Sequence, residues 1–292
     1  MGPATAQAVK DEAAAGSGWR AELTLDYRRR GARTVAHDAH SGPLRVLQPL
    51  YPEGEGICHH VLVHPPGGLV GGDQLHVHAR LQAGSHVLLT TPGATRFYRS
   101  EGAAALQRTR LQLDDGARLE WLPMETIAYS GCQARNHLSA ELAPGAEWMG
   151  WDTLVLGLVA AGQPFIAGSY GQHIEVPGVW LERGRVDAAD HVLLRSPLGW
   201  ASHTVAATLW FAAGAALPPA RRQALLDAAR AAIDGHELAA TAGVTAPQPA
   251  VLVLRLLAPR VEAAMRLLAR VRAAWRQEAW GLAAEPPRIW RT

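Results

Sequence analysis

The chain has 292 residues, is 48% apolar and 18% charged, and carries a formal net charge of +2. That balance is ordinary for a water-exposed globular protein with a substantial core, and it gives no electrostatic reason to expect nucleic acid as a partner. Two cysteines, Cys58 and Cys132, cannot make a disulfide framework, so a cytoplasmic setting with reduced thiols is expected.

Residues 1–17 read as a disordered lead, Ala- and Gly-rich without periodicity, and residues 18–292 as one domain. The lead holds Lys10, Asp11 and Glu12 with no continuous apolar stretch, so it is not a signal peptide. Ala6 occupies the position where myristoylation needs Ser or Thr. From Trp19, the apolar Ala21, Leu23 and Leu25 alternate with Glu22, Thr24 and Asp26, a half-buried strand that residues 28–31 turn. Short apolar runs follow at 34–36, 44–47, 57–63, 74–82, 86–90, 104–113, 118–122 and 139–142. Most are bounded by Gly, Pro or Asp, and strands at this spacing predict an all-β body. Asp114-Asp115-Gly116 and Pro144-Gly145 read as hairpin-type turns. The segments starting at Gly116 (Gly-Ala-Arg-Leu-Glu-Trp) and Gly145 (Gly-Ala-Glu-Trp-Met) echo one another, too weakly to establish a repeat.

Two charge-free windows, 153–174 and 196–220, are broken by Gly, Pro, Gln, His and hydroxyl residues and make poor membrane spans. Helices are predicted at about 219–234, behind Pro218-Pro219, and at about 260–280, ending at Gly281. In the second, Val261, Met265, Leu268, Val271 and Trp275 make one apolar stripe at helical period; Arg266, Arg270, Arg272 and Arg276 lie away from it. Residues 250–257 between the helices read as a buried strand. Lys10 is the only lysine among 28 basic residues, and the scattered arginines read as coding bias rather than a binding surface.

The centre of the chain is turn-rich. Pro66-Gly67 suits the middle of a type II turn, with Gly68 following; Gly71-Gly72-Asp73 makes a second bend and Thr91-Pro92-Gly93 a third. Between them Leu75, Val77, Ala79 and Leu81 alternate with polar residues. Around these turns lie Cys58, His59, His60, His76 and His78. Residues two apart on a strand share a face about 6.6 Å apart, so His76 and His78 are placed to meet one ion, and imidazole with thiolate suits nickel, zinc or copper. No third ligand is set by spacing, so no stable metal site is predicted. Asp73, Glu125, Asp152 and Glu175 form a scatter of carboxylates suited to a borderline divalent cation, and Asp73 equally suits capping of its glycine turn. Arg96, Tyr98 and Arg99, with Phe97 turned to the core, suit partner docking or the grip of an anion. The chain has no phosphate-binding Gly-Lys-Ser/Thr loop or nucleophile elbow, and the lack of a Cys-x-x-Cys pair or His-Glu-x-x-His helix counts against an ordinary metallohydrolase.

Several of these landmarks resemble one family in the same order. They are Gly42-Pro43-Leu44-Arg45-Val46 with Leu50–Glu53, the Pro65–Asp73 and Leu88–Ser100 stretches, Leu119–Ile127, and the ending Pro287–Thr292. Together they are similar to the urease accessory protein D family, UreD, called UreH in some lineages. The resemblance implies a mainly β fold of stacked sheets in a β-helix-like arrangement with the two late helices. It also implies a urease maturation factor rather than an enzyme. Such a scaffold docks on apo-urease, binds accessory protein F directly and accessory protein G through it, and passes transient Ni²⁺ to the urease active site through an internal passage. No tightly bound cofactor and no membrane partner are implied. The family pattern would place arginine near Leu158 and glutamate near Gln163, so two charges are missing here, which bears on Asp152 nearby. Two other classes remain: a metal-dependent hydrolase using His76, His78 and Asp73, or a docking module without ion transfer.

Overall fold

The period-2 alternation at the start of the chain builds an antiparallel hairpin of β1 (Arg20–Arg30) and β2 (Arg33–Ser41), turned at Gly31. The computed structural model describes residues 18–291, so the predicted lead at 1–17 lies outside the described residues. A short β3 (Arg45–Val46) pairs antiparallel with β4 (Ile57–Val63). From here the chain coils. One coil comprises β5 (Gln74–Leu81), β6 (His86–Thr90) and β7 (Thr95–Phe97); the next, β8 (Ala105–Leu113), β9 (Arg118–Leu122) and β10 (Thr126–Ala128). A third comprises β11 (Cys132–Leu142) and β12 (Glu147–Leu158), the latter long enough to pair with both β9 and β10. After the two-residue β13 (Gln163–Pro164), β14 (Gly168–Val176) continues the stack and β15 (Trp180–Asp187) folds back antiparallel.

Each coil lies parallel on the one before. Gln74 pairs with Leu106, 32 residues on, and Arg118 with Glu147, 29 residues on. The faint echo at Gly116 and Gly145 is this coil repeat: Leu119 stacks against Trp148 and Glu120 against Met149. The two turns expected to close hairpins are turns, closed by Ala117 N–H on the Asp114 carbonyl (3.0 Å) and Ala146 N–H on that of Ala143 (2.8 Å). They close no hairpin, however. Each is a corner that carries the chain from one sheet to the other, and strand–turn–strand patterning is identical in both cases.

The final third adds a short helix α1 (His191–Arg195), β16 (Val205–Ala213), α2 (Pro219–Ile233), β17 (Ala242–Gln248), β18 (Val251–Ala258) and α3 (Val261–Trp280). The two long helices and the intervening β18 match the expectation closely. The smaller sheet runs β15-β14-β11-β8-β5-β1-β2, and the larger runs β17-β18-β16-β12-β9-β6-β4-β3. Stacked sheets in a solenoid are therefore the observed architecture. One core fills the space between the sheets, with Leu23, Leu75, Leu111, Trp148 and Trp210 in it. A second lies between the outer face of the larger sheet and α2 and α3, built on Leu88, Met149, Trp151, Leu267 and Trp275.

The face of α3 corrects the helical reading. Val261 and Met265 of the predicted stripe are only half-buried, whereas Arg272 and Arg276 are fully buried. Arg272 Nε donates to Glu120 Oε2 at 2.7 Å, and Arg276 grips both oxygens of Glu53 at 3.2 and 2.6 Å. Arg276 Nε and His86 Nε2 each lie 3.6 Å from Glu120 Oε1. Burial alone would raise the Glu120 carboxyl; Arg272, His86 and Arg276 outweigh it and hold the group at about 2. Arginine stems cover apolar surface while their heads find carboxylates on the sheet, a match that helical periodicity cannot register. Removing one partner strands the other charge in the core. Arg272→Ala is expected to cost about 3–5 kcal/mol in denaturant unfolding, and the double change Glu120→Gln with Arg272→Met to recover most of it. A single variant as stable as the parent would contradict this.

Candidate functional site

The turn-rich stretch forms the exposed rim of a cavity of about 310 Å³ between the sheets. The first turn is closed by Gly67 N–H on the His64 carbonyl (2.9 Å), so Pro65-Pro66 are its central residues, one earlier than the expected Pro66-Gly67. Gly67 nonetheless takes φ +79°, and at Gly68 a Cβ would come within 2.3 Å of the Tyr98 ring. Asp73 N–H closes the Gly71-Gly72 bend on the Val70 carbonyl at 3.1 Å. The Asp73 carboxylate accepts the backbone N–H of Trp19 (2.8 Å) and of Val70 (2.9 Å), the capping role weighed for it. At the third turn, beside Pro92 and Gly93, Thr91 Oγ1 accepts Met124 N–H and donates to the Gly93 carbonyl.

Polar side chains break the apolar lining inside. On β8 the inward positions include Gln107 and Thr109, and coil stacking sets Gln107 against Asn136 of β11 and Asn136 against Gln172 of β14. Three amides thus form a ladder within the tube. The clue was present in sequence: Gln107 and Thr109 interrupt the apolar side of an alternating strand.

Asp152 of β12 faces this ladder, and Asn136 Nδ2 donates to its Oδ1 at 3.3 Å. It also lines a second cavity, of about 670 Å³, with Tyr170, Gln172, Trp200 and Arg255. Asp152 is enclosed by protein yet keeps some accessible surface, because cavities flank it on two sides. Burial pushes its carboxyl up to about 6, and the neighbouring Gln172 amide offsets only part of that.

The remaining predicted residues do not gather. Cys58 and His60 point into the inter-sheet core, where burial raises the Cys58 thiol to about 11 and keeps it protonated. His60 Nδ1 shares a hydrogen bond with Tyr27 Oη at 2.8 Å, and burial lowers it to about 4. His59 faces the other way and pairs with Glu53 at 2.7 Å. His76 and His78 share the outer face of the smaller sheet, as their spacing predicts, but among Arg20, Arg108 and Arg110. A cation would meet repulsion there. Glu125 lies between β9 and β10 with Oε2 buried and without a hydrogen-bond partner; Glu175 hydrogen-bonds His173 at 2.9 Å. Among the described residues no three His, Cys, Asp or Glu side chains are grouped to hold a metal ion. The hydrolase trio is scattered, with Asp73 committed to backbone. Phe97 is buried as predicted and Arg96 is exposed at the cavity rim; Tyr98 packs on Tyr129 with ring centroids 4.9 Å apart, and Arg99 covers Gly131. Leu158 and Gln163 pair directly across β12 and β13 and line neither cavity. An arginine and glutamate there would face each other as a cross-strand ion pair, so losing both leaves the surroundings of Asp152 unchanged.

A buried carboxyl whose folded value lies above its unfolded one destabilises the fold as it ionises. Asp152→Asn is therefore expected to stabilise the protein above about pH 6, by up to about 3 kcal/mol, with the gain vanishing below about pH 4. Thermal unfolding across that range checks it; equal midpoints at pH 7.5 would count against an uncompensated carboxylate.

No helix among the described residues is long and apolar enough to cross a membrane. The family model for the UreD urease accessory protein matches residues 19–291. The urease accessory protein UreD of Verminephrobacter eiseniae is 64% identical over 272 residues, 93% of this chain and 99% of that relative. Those of Paracidovorax citrulli and Methylibium petroleiphilum are 61% and 56% identical, covering 93% and 94% of this chain and 99% of each relative. Matched by that family model over residues 19–291 and 64% identical to a UreD relative across 93% of its length, the chain belongs to the UreD family of urease accessory proteins.

Proposed function

We propose that this protein is a cytoplasmic maturation scaffold that docks on apo-urease and, with accessory proteins F and G, lets nickel reach the urease active site through its own interior. It does so without catalysis of its own and without a tightly held cofactor. The observation that carries this reading is Asp152. Asp152 lines both cavities, at a cost in stability, beside a ladder of neutral amides, whereas Glu182, the other carboxylate lining the second cavity, is held by Arg255. A perturbed carboxyl retained inside a cleft at a cost in stability marks a candidate functional residue.

The chemistry suits an ion in transit rather than one at rest. Amide and hydroxyl oxygens of Gln107, Thr109 and Asn136 replace part of a hydration shell, and one carboxylate supplies attraction without a closed ligand set. Nickel is cargo here. The expected test is activation of urease co-expressed with its accessory proteins in cells lacking this chain. Asp152→Asn should assemble normally by pull-down yet lower urease nickel content and activity severalfold; unchanged activation excludes Asp152 from the route.

Docking has support at the rim of the second cavity. Leu198, in the turn after α1, is 99% exposed and lines that rim, and Val192 on α1 is 80% exposed. Ala201 and Ser202 next to them hold left-handed backbone (φ +46° and +64°), a strained conformation for residues with a Cβ. We assign this segment to partner contact, where its apolar side chains are covered. Leu198→Glu is expected to weaken capture of accessory protein F about tenfold or more while leaving the unfolding midpoint in place. Wild-type capture by that variant would remove the segment from the interface.

A further inference from the structure

The long helices cover the larger sheet, and the outer face of the smaller sheet has no such cover among the described residues. Strand register lines up one outward residue from each of six strands of that face: Glu22, His76, Arg108, His137, His173 and Arg183. At the usual spacing of about 4.8 Å between strands, the row runs about 24 Å. His137 and His173 stack with centroids 4.1 Å apart and planes 15° apart. Arg110 and Arg135 flank the row on neighbouring outward positions.

Among the described residues, the acids nearest the row are already paired. Glu22 is taken by Arg20, Glu175 by His173, and Asp187 by Arg185. Arg135 and Arg183 are exposed, and neither forms an ion pair among the described residues. Between them Gly171 and Gly184 leave a notch of about 380 Å³ walled by Arg135, His173, Arg183 and Arg185. Burial, with Arg20 and Arg108 at His76 and Arg110 at His78, holds both histidines below the usual histidine range, against an opposing pull from Glu22. With a whole-chain charge of only +2, this is a local concentration of positive charge.

We propose that this face docks a carboxylate-rich patch of a protein partner, with Arg135 and Arg183 beside the notch as anchors. A protein is favoured over a nucleic acid for two reasons. The row carries no Phe, Tyr or Trp ring on which a base would stack, and a whole-chain charge of only +2 gives little long-range attraction for a phosphate backbone. The inference rests on the docking role proposed above and is independent of the ion route.

The test is fluorescence anisotropy of a labelled poly-glutamate peptide against the full-length chain. Binding is expected at about 50 mM NaCl, weakening strongly by about 300 mM. The double variant Arg135→Glu/Arg183→Glu should lose affinity at least about tenfold, while Arg195→Glu on α1 should not. A milder Arg135→Gln/Arg183→Gln pair, checked by circular dichroism, guards against misfolding. Unchanged peptide binding by both pairs overturns the proposal, as does equal or tighter binding of a single-stranded oligonucleotide of the same charge. A double variant that loses the peptide but still co-purifies with urease and accessory protein F leaves the surface standing and removes this face from urease docking.

Discussion

Parallel stacking of successive coils is the constraint from which the rest of the molecule follows. A chain that advances through two sheets and returns must bring each strand back beside its predecessor, which requires nearly constant coil length and sharp corners. The coils from β5 to β12 meet that condition with offsets of 29 and 32 residues, and glycine turns such as Asp114–Gly116 make the corners. Stacking also means that like positions pile on like positions. The inner amides Gln107, Asn136 and Gln172 form a ladder for that reason, and so does the outer row through His137 and His173. One geometric rule thus creates both a polar ladder within an apolar interior and a patterned exterior.

A tube needs an outer brace, and α3 supplies it through charge as well as apolar contact. Its buried arginines reach carboxylates 152 and 223 residues earlier in the chain, Glu120 and Glu53. Buried ion pairs add little net stability over apolar substitutes, because desolvation consumes most of the attraction. They also tie the helix to the sheet at fixed points, Arg272 to Glu120 and Arg276 to Glu53, although Arg272 Nη2 and Arg276 Nε are left without a hydrogen bond. Trp275 Nε1, bonded to the Leu225 carbonyl of α2 at 2.9 Å, and Trp280 Nε1, bonded to Glu147 at 2.6 Å, serve the same end.

Asp152 contrasts with Glu120. Both are carboxylates enclosed by protein, but Glu120 is met by arginines and held low, whereas Asp152 meets only amides and is pushed up. The first belongs to the scaffold. The second is expensive where it stands, and its two flanking cavities give it access that a packing residue does not need.

Local pattern alone marked most strands up to β9, the end of β11, β18, the two long helices to within a residue or two and the inward Phe97, because each depends on neighbours a few positions away; it did not mark β12 or β14 to β17, and it left capping as one of two roles for Asp73. The motif order also identified the family. Hairpin could not be told from solenoid corner at Asp114–Gly116, since turn chemistry does not reveal which sheet receives the next strand. Nor could alternation or helical period show that Arg272 and Arg276 are buried, that His76 and His78 stand among arginines, or that Leu158 and Gln163 are partners. Those facts arise only when distant segments meet: the burial and field at a side chain are set by what tertiary packing brings across from it, and sequence spacing carries no record of that.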